Sequence, residues 1–136
     1  MRKEATMAEI KIGAEREERI LVTTETAIDF LGMEGARVLS TPHMIGFMER
    51  TCRNLVLQFL EPGYDTVGTH VDVRHLAGAP LGASVRFVAR IAAVNERRVT
   101  FTVQAFDEKD KLGEGVHERT VINVQKFAAR MAAKKQ

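Results

Sequence analysis

The stretch "STPHMIGFMERTC", residues 40–52, opens the strongest helical signal in the chain and contains its one anomaly. Thr41 has the chemistry of an N-cap, and Pro42 suits a first helical position because its missing N–H is not needed there. From that point Ile45, Met48, Cys52, Leu55, Val56 and Phe59 recur at helical spacing, while Arg50, Thr51, Arg53, Asn54 and Gln58 fall on the other side. "EPGYD" at 61–65 supplies the stop, with Pro62 and Gly63. The anomaly is Glu49, which is flanked on the apolar stripe by Ile45, Cys52 and Val56. A carboxylate taken out of water is costly, so it must be protonated, paired or given a hydrated cavity. Two readings follow: a carboxylate paired to an arginine at a subunit seam, or one placed there for chemistry.

Downstream, four segments alternate with the two-residue period of strands: 65–78, 83–95, 97–108 and 111–124. Their expected inward sets are Val67, Thr69, Val71, Val73 and His75; Val85, Phe87, Ala89, Ile91 and Ala93; Val99, Phe101, Val103 and Ala105; and Val116, Ile122 and Val124. "NER" and "DEKDK" read as short polar hairpin links. Upstream, residues 1–17 read as a loose charged arm with strand character near Ile10 and Ile12. "RILVTTET" (19–26) reads as a strand, and "TAIDFLGMEG" (26–35) as a helical turn or lid. One long helix beside four antiparallel strands is an α+β domain, assigned to residues 18–136. The sheet keeps an exposed edge and uncovered surface, which a homodimer would cover.

Composition narrows the classes. The 136 residues are 45% hydrophobic and 28% charged, with a net charge of +2, as in an ordinary single globular domain. Acidic and basic residues are interspersed, so no nucleic-acid footprint stands out; the basic "QKFAARMAAKKQ" at 125–136 reads as a solvated helix end. No apolar run has membrane-spanning length, and the N-terminus lacks the apolar core of a secretory signal, so the expectation is a cytoplasmic protein without membrane attachment. The single cysteine, Cys52, excludes an intrachain disulfide and reads as a small core residue. His43, His70, His75 and His117 show no zinc-site spacing, and no metal is expected. His43 is expected to be exposed, and His117 and Arg119 to form an exposed cross-strand patch.

His75 continues an apolar strand face and sits at the strand's end. With Thr41 and Glu49 it supplies a hydroxyl, an imidazole and a carboxylate, a set able to activate a nucleophile or a water. The segments "STPHMIGFMERTC", "VGTHVDVRHLAGAPLG" and "GEGVHERTVI" resemble the fluoroacetyl-CoA thioesterase-like group of hotdog-fold thioesterases, over about residues 20–125. The resemblance implies a long central helix on a curved antiparallel sheet. It also implies a catalytic set of Thr41, Glu49 and His75, and substrate binding by Gly68 and Arg119. The activity it implies is hydrolysis of a small acyl-CoA, with coenzyme A entering as part of the substrate and no other cofactor. The alternative is a non-catalytic acyl-CoA or small-acid binding protein on the same fold. A hotdog dehydratase is a weaker reading, carried by Asp72 near His75. The lid before the helix, "IDFLGMEGARV", has one aromatic, Phe30, where a fluoroacetyl-specific enzyme is aromatic-rich, which points to a broader or different acyl group. Thr41 and Glu49 are eight residues apart, ~12 Å along a straight helix. Either the helix starts several residues later than Thr41, or a water or substrate bridges the two, or one of them serves the neighbouring subunit's site. Arg74, Arg86 and the C-terminal lysines are the candidates for contacts to coenzyme A phosphates.

Overall fold

The computed structural model describes residues 10–135. Strands β1 (Glu15–Leu21), β2 (Tyr64–His75), β3 (Ser84–Asn95), β4 (Arg98–Phe106) and β5 (Lys111–Asn123) form one antiparallel sheet in the order β1-β3-β4-β5-β2. The long helix α1 (Thr41–Leu57) lies on one face and touches every strand. A second helix, α2 (Val124–Lys134), is capped by Asn123 and carries no buried residue, in line with the solvated end read from the sequence. A 3-10 turn, Glu34–Ala36, interrupts the long connection between β1 and α1. β1 starts at Glu15, so the strand crosses the expected arm–domain boundary at residue 17; residues 1–9 of that arm lie outside the described residues.

The cap of α1 is Ser40, one residue before the expected Thr41. Its hydroxyl accepts the His43 N–H at 3.2 Å, and Pro42 sits in the first turn. The helix ends at Leu57, before the proline–glycine stop at 62–63. Its core face is Met44, Met48, Thr51, Cys52, Leu55 and Val56. Thr51, expected on the polar side, is buried because its hydroxyl donates to the Phe47 carbonyl one turn back, at 2.8 Å, which satisfies it locally. Glu18 ties α1 to β1: it accepts from Asn54 Nδ2 at 2.8 Å and from Arg50 Nε at 3.2 Å. These donors outweigh its partial burial and hold its pKa below the usual carboxylate value.

Two bulges reset the faces that simple alternation assigns. Between Ile91 and Ala93 the register of β3 shifts, so Val94 packs on the core while Ala93 turns to solvent. Between Gly68 and His70 the register of β2 shifts, so Thr66 and Gly68 share the helix side with Val71, Val73 and His75. Val67 and Thr69, expected inward, belong to the other face; Thr69 Oγ1 donates to Glu118 Oε2 there at 2.6 Å. β5 departs furthest from expectation. Its helix-facing residues are Gly113, Gly115, His117, Arg119 and Val121, while Val116 is exposed on the far side. β4 follows the alternation, with Val99, Phe101, Val103 and Ala105 buried.

Gly113 shows how closely α1 is seated. A Cβ there would stand 2.7 Å from Met44 Sδ and 2.9 Å from the Arg74 carbonyl oxygen. The sulfur can turn aside, but the carbonyl belongs to the sheet and cannot. Gly113→Ala is expected to destabilise the fold by roughly 1–3 kcal/mol through overpacking. Thermal or urea unfolding checks this, and an unchanged midpoint would show that the helix does not depend on this clearance.

Candidate active site

Freed from capping, Thr41 at the start of α1 turns its hydroxyl to His75, the last residue of β2. Thr41 Oγ1 and His75 Nδ1 are 2.7 Å apart. His75 Nε2 is buried without a hydrogen-bond partner among the described residues, whereas Thr41 is exposed. Of the two residues, the threonine is therefore the one open to solvent. Around its oxygen the helix end offers few donors: Pro42 has none, His43 N–H is bound by Ser40 Oγ, and Met44 N–H by the Ser40 carbonyl. The N–H of Thr41 itself is what remains of the first turn.

A second cluster forms two turns further along α1. Glu49 lies at the rim of the core face with its side chain 38% exposed, and Oε2 is 3.9 Å from Arg119 Nη1 and 3.8 Å from His117 Nε2. Gly68 of β2 faces it. A Cβ on Gly68 would stand 2.6 Å from Glu49 Oε2 and 3.2 Å from His117 Cε1, so the glycine provides the room in which the carboxylate sits. Arg119 is buried and anchored: Nε donates to Thr66 Oγ1 at 2.6 Å, and Nη2 to the Thr66 carbonyl at 3.0 Å. Its Nη1 faces His117 Nε2 at 3.1 Å. Burial pulls the Arg119 pKa down, with Glu49 pulling against it.

The five residues picked out from the sequence thus gather in two groups, Thr41 with His75, and Glu49 with Gly68 and Arg119. Within one chain the groups are separated by the eight-residue span of a regular helix, and no direct Thr41–Glu49 contact is made. His117 and Thr66 were missed as site residues. His117 is buried at the carboxylate and not part of an exposed patch, and the same holds for Arg119. The usable signal was the spacing of His117 and Arg119, two residues apart on one strand face. Arg74 and Arg86 do not converge on the site. Arg74 lies on the far face of the sheet with Asp72, and Arg86 stacks over the Phe106 ring at 4.4 Å and faces Glu17 at 3.7 Å. Asp72 and His75 therefore point to opposite faces, which removes the geometric basis for the dehydratase reading. His43 is exposed, as expected. Cys52 is fully buried, and burial pushes its thiol pKa well up, as suits a core residue rather than a nucleophile. Among the described residues, no group of three or more His, Cys, Asp and Glu could hold a metal ion, and no helix is long and apolar enough to cross a membrane.

A family model described as fluoroacetyl-CoA-specific thioesterase matches residues 22–125, which contain both clusters. The chain belongs to that family. It is 39% identical over 101 residues to the fluoroacetyl-CoA thioesterase of Streptantibioticus cattleyicolor, covering 74% of this chain and 73% of the relative. A solved structure of a fluoroacetyl-CoA-specific thioesterase variant, in complex with fluoroacetate and CoA, superposes with a TM-score of 0.78. It is 32% identical and covers 86% of this chain and 98% of that one. A hot-dog-like protein from Thermanaerovibrio acidaminovorans, at 22% identity, superposes with a TM-score of 0.85 over 93% of this chain and 94% of that one. The fold is therefore the hotdog fold that the sequence led us to expect.

His117 links this thioesterase-family site to folding. Burial lowers its pKa from the ordinary histidine value, while the unfolded chain titrates normally. The unfolded state thus takes up the proton first, and stability present above about pH 6.5 is lost as the pH falls through the lower folded-state value. A His117→Gln variant, which has no such proton to gain, is expected to show a flatter decline of thermal midpoint between pH 7 and pH 5. Parallel declines in the two proteins would remove His117 as a source of acid sensitivity.

Proposed function

We propose that the protein hydrolyses a small acyl-CoA thioester to the free acid and coenzyme A, with Thr41, Glu49 and His75 as catalytic residues and the site shared across a homodimer. The observation that carries the chemistry is the 2.7 Å contact between Thr41 Oγ1 and His75 Nδ1 at the open end of the central helix. An imidazole at that distance can take up the hydroxyl proton and return it. The net step adds the hydroxyl of water to the acyl carbon, breaks the carbon–sulfur bond and leaves the remaining proton on the coenzyme A sulfur. Glu49 draws the proton from the attacking water, or attacks the acyl carbon itself to form an anhydride that water then hydrolyses to free the acid and restore the carboxylate; in either route the Thr41–His75 pair relays a proton to the departing sulfur through the threonine hydroxyl. Arg119 keeps hydrogens on Nη1 and Nη2 beyond those given to Thr66 and His117, and these bind the acyl oxygen or the acid product.

The homodimer is supported by the outer edge of β2, twelve residues long and unpaired among the described residues, with Val71 and, just past its end, Leu76 exposed. It is supported also by the two turns of helix between Thr41 and Glu49. Two copies joined about a two-fold axis, with their helices antiparallel, bring the start of one helix to the middle of the other. The acyl group is small and not restricted to fluoroacetyl. Phe30, the aromatic of the segment before the helix, is about half exposed, and that segment has no second ring with which to build an aromatic gate.

Glu49→Gln keeps the size of the side chain and removes its charge, and it is expected to lower thiol release from acetyl-CoA by roughly a hundredfold or more. Turnover like that of the wild type would return Glu49 to a structural seam. The shared site has its own test. When Glu49→Gln and Thr41→Ala subunits are unfolded together and refolded, half of the dimers are mixed. Each mixed dimer holds one site with both native groups, so about a quarter of wild-type activity is expected. No activity above the two parent variants would place the whole site in one chain. His75→Ala is expected to reduce turnover per folded molecule with little change in thermal midpoint; a lower midpoint at an unchanged rate would make His75 a packing residue.

A further inference from the structure

We infer that His117 is a positioning residue of this site: its Nε2 lone pair holds Arg119 Nη1, keeping the guanidinium beside Glu49 without letting the two close into a direct hydrogen bond. The inference rests on the thioesterase reading for its kinetic consequence and on the contacts alone for its geometry. His117 Nδ1 lies 2.8 Å from the His70 carbonyl, immediately after the β2 bulge. A carbonyl only accepts, so Nδ1 carries the hydrogen and Nε2 is left with a lone pair. Arg119 Nη1, 3.1 Å away, only donates, so the bond runs from the guanidinium to the ring. The tautomer is thereby fixed by its two neighbours.

An imidazole is not needed here for packing. Its ring stacks on Phe101 of β4 with centroids 6.2 Å apart, and a leucine would fill the same place with no polar atom to satisfy. What the ring adds is one donor facing β2 and one acceptor facing Arg119. With Thr66 taking Nε and Nη2, the guanidinium is held at all three nitrogens, which fixes a planar group completely. Without His117, Glu49 Oε2 remains as an acceptor 3.9 Å from Nη1. A small rotation would shorten that gap to a charge-assisted hydrogen bond, which would tie up the carboxylate and the hydrogens meant for substrate.

Two amides separate the two halves of the ring's role. In His117→Asn, the short side chain can still donate to the His70 carbonyl but does not reach Arg119. In His117→Gln, the longer amide places its oxygen near the former Nε2. The Asn variant is expected to lose about tenfold or more in kcat on acetyl-CoA with a smaller change in KM, and the Gln variant to stay within about threefold of wild type. Equal kcat in the two variants, whether high or low, would overturn the inference. Rotation of the Arg119 guanidinium, read by nitrogen-15 NMR, gives a readout independent of turnover: slow in wild type and Gln, faster in Asn. Equal rotation in all three would also overturn it. If the wild type released no thiol from acyl-CoA while this NMR pattern held, the thioesterase reading would fall and the positioning of Arg119 would stand.

Discussion

Much of the sheet beneath the central helix is arranged around one carboxylate. Glu49 comes down at the rim of a face otherwise made of methionine, cysteine, leucine and valine. Three features of the strands below answer it: a residue without a side chain at Gly68, a cation at Arg119, and a ring that restrains that cation at His117. The β2 bulge belongs to the same arrangement, since it brings Gly68 to the helix side while keeping Val73 and His75 there further along. An alternating β2 would have turned either Gly68 or His75 away from the helix. The carboxylate cluster and the Thr41–His75 dyad therefore share one strand because that strand is irregular.

The same demands explain why β5 reads poorly as a core strand. Its inward positions carry Gly113, Gly115, His117 and Arg119, residue types that pattern reading places outside. Gly113 is required by the approach of Met44, and His117 and Arg119 by Glu49. The apolar residues of β5 that alternate most clearly, Val116 and Ile122, lie on the other phase, so the periodic signal is inverted where the site displaces the core. β4, which places no polar side chain in either cluster, follows the expected alternation throughout.

Much of the arrangement was legible in residues 40–124. Helix α1, the four long strands after it, the position of His75 at a strand end and the oddity of Glu49 all follow from spacing and residue type. The assignment of Gly68 and Arg119 to the site came from family resemblance, because a glycine in a strand and an arginine between polar neighbours look like surface. The bulges at residues 69 and 92 had no readable signal: a one-residue slip in pairing depends on the partner strand and not on local preference. The helix cap was misplaced by one residue because Ser40 and Thr41 are both good caps, and only the geometry of the chain entering the helix chooses between them.

That choice of cap reaches beyond structure. Because Ser40 carries the task of starting the helix, the Thr41 hydroxyl is released from capping and is left to the imidazole of His75. A lineage could exchange that hydroxyl for another group without first having to rebuild the cap on which the helix starts.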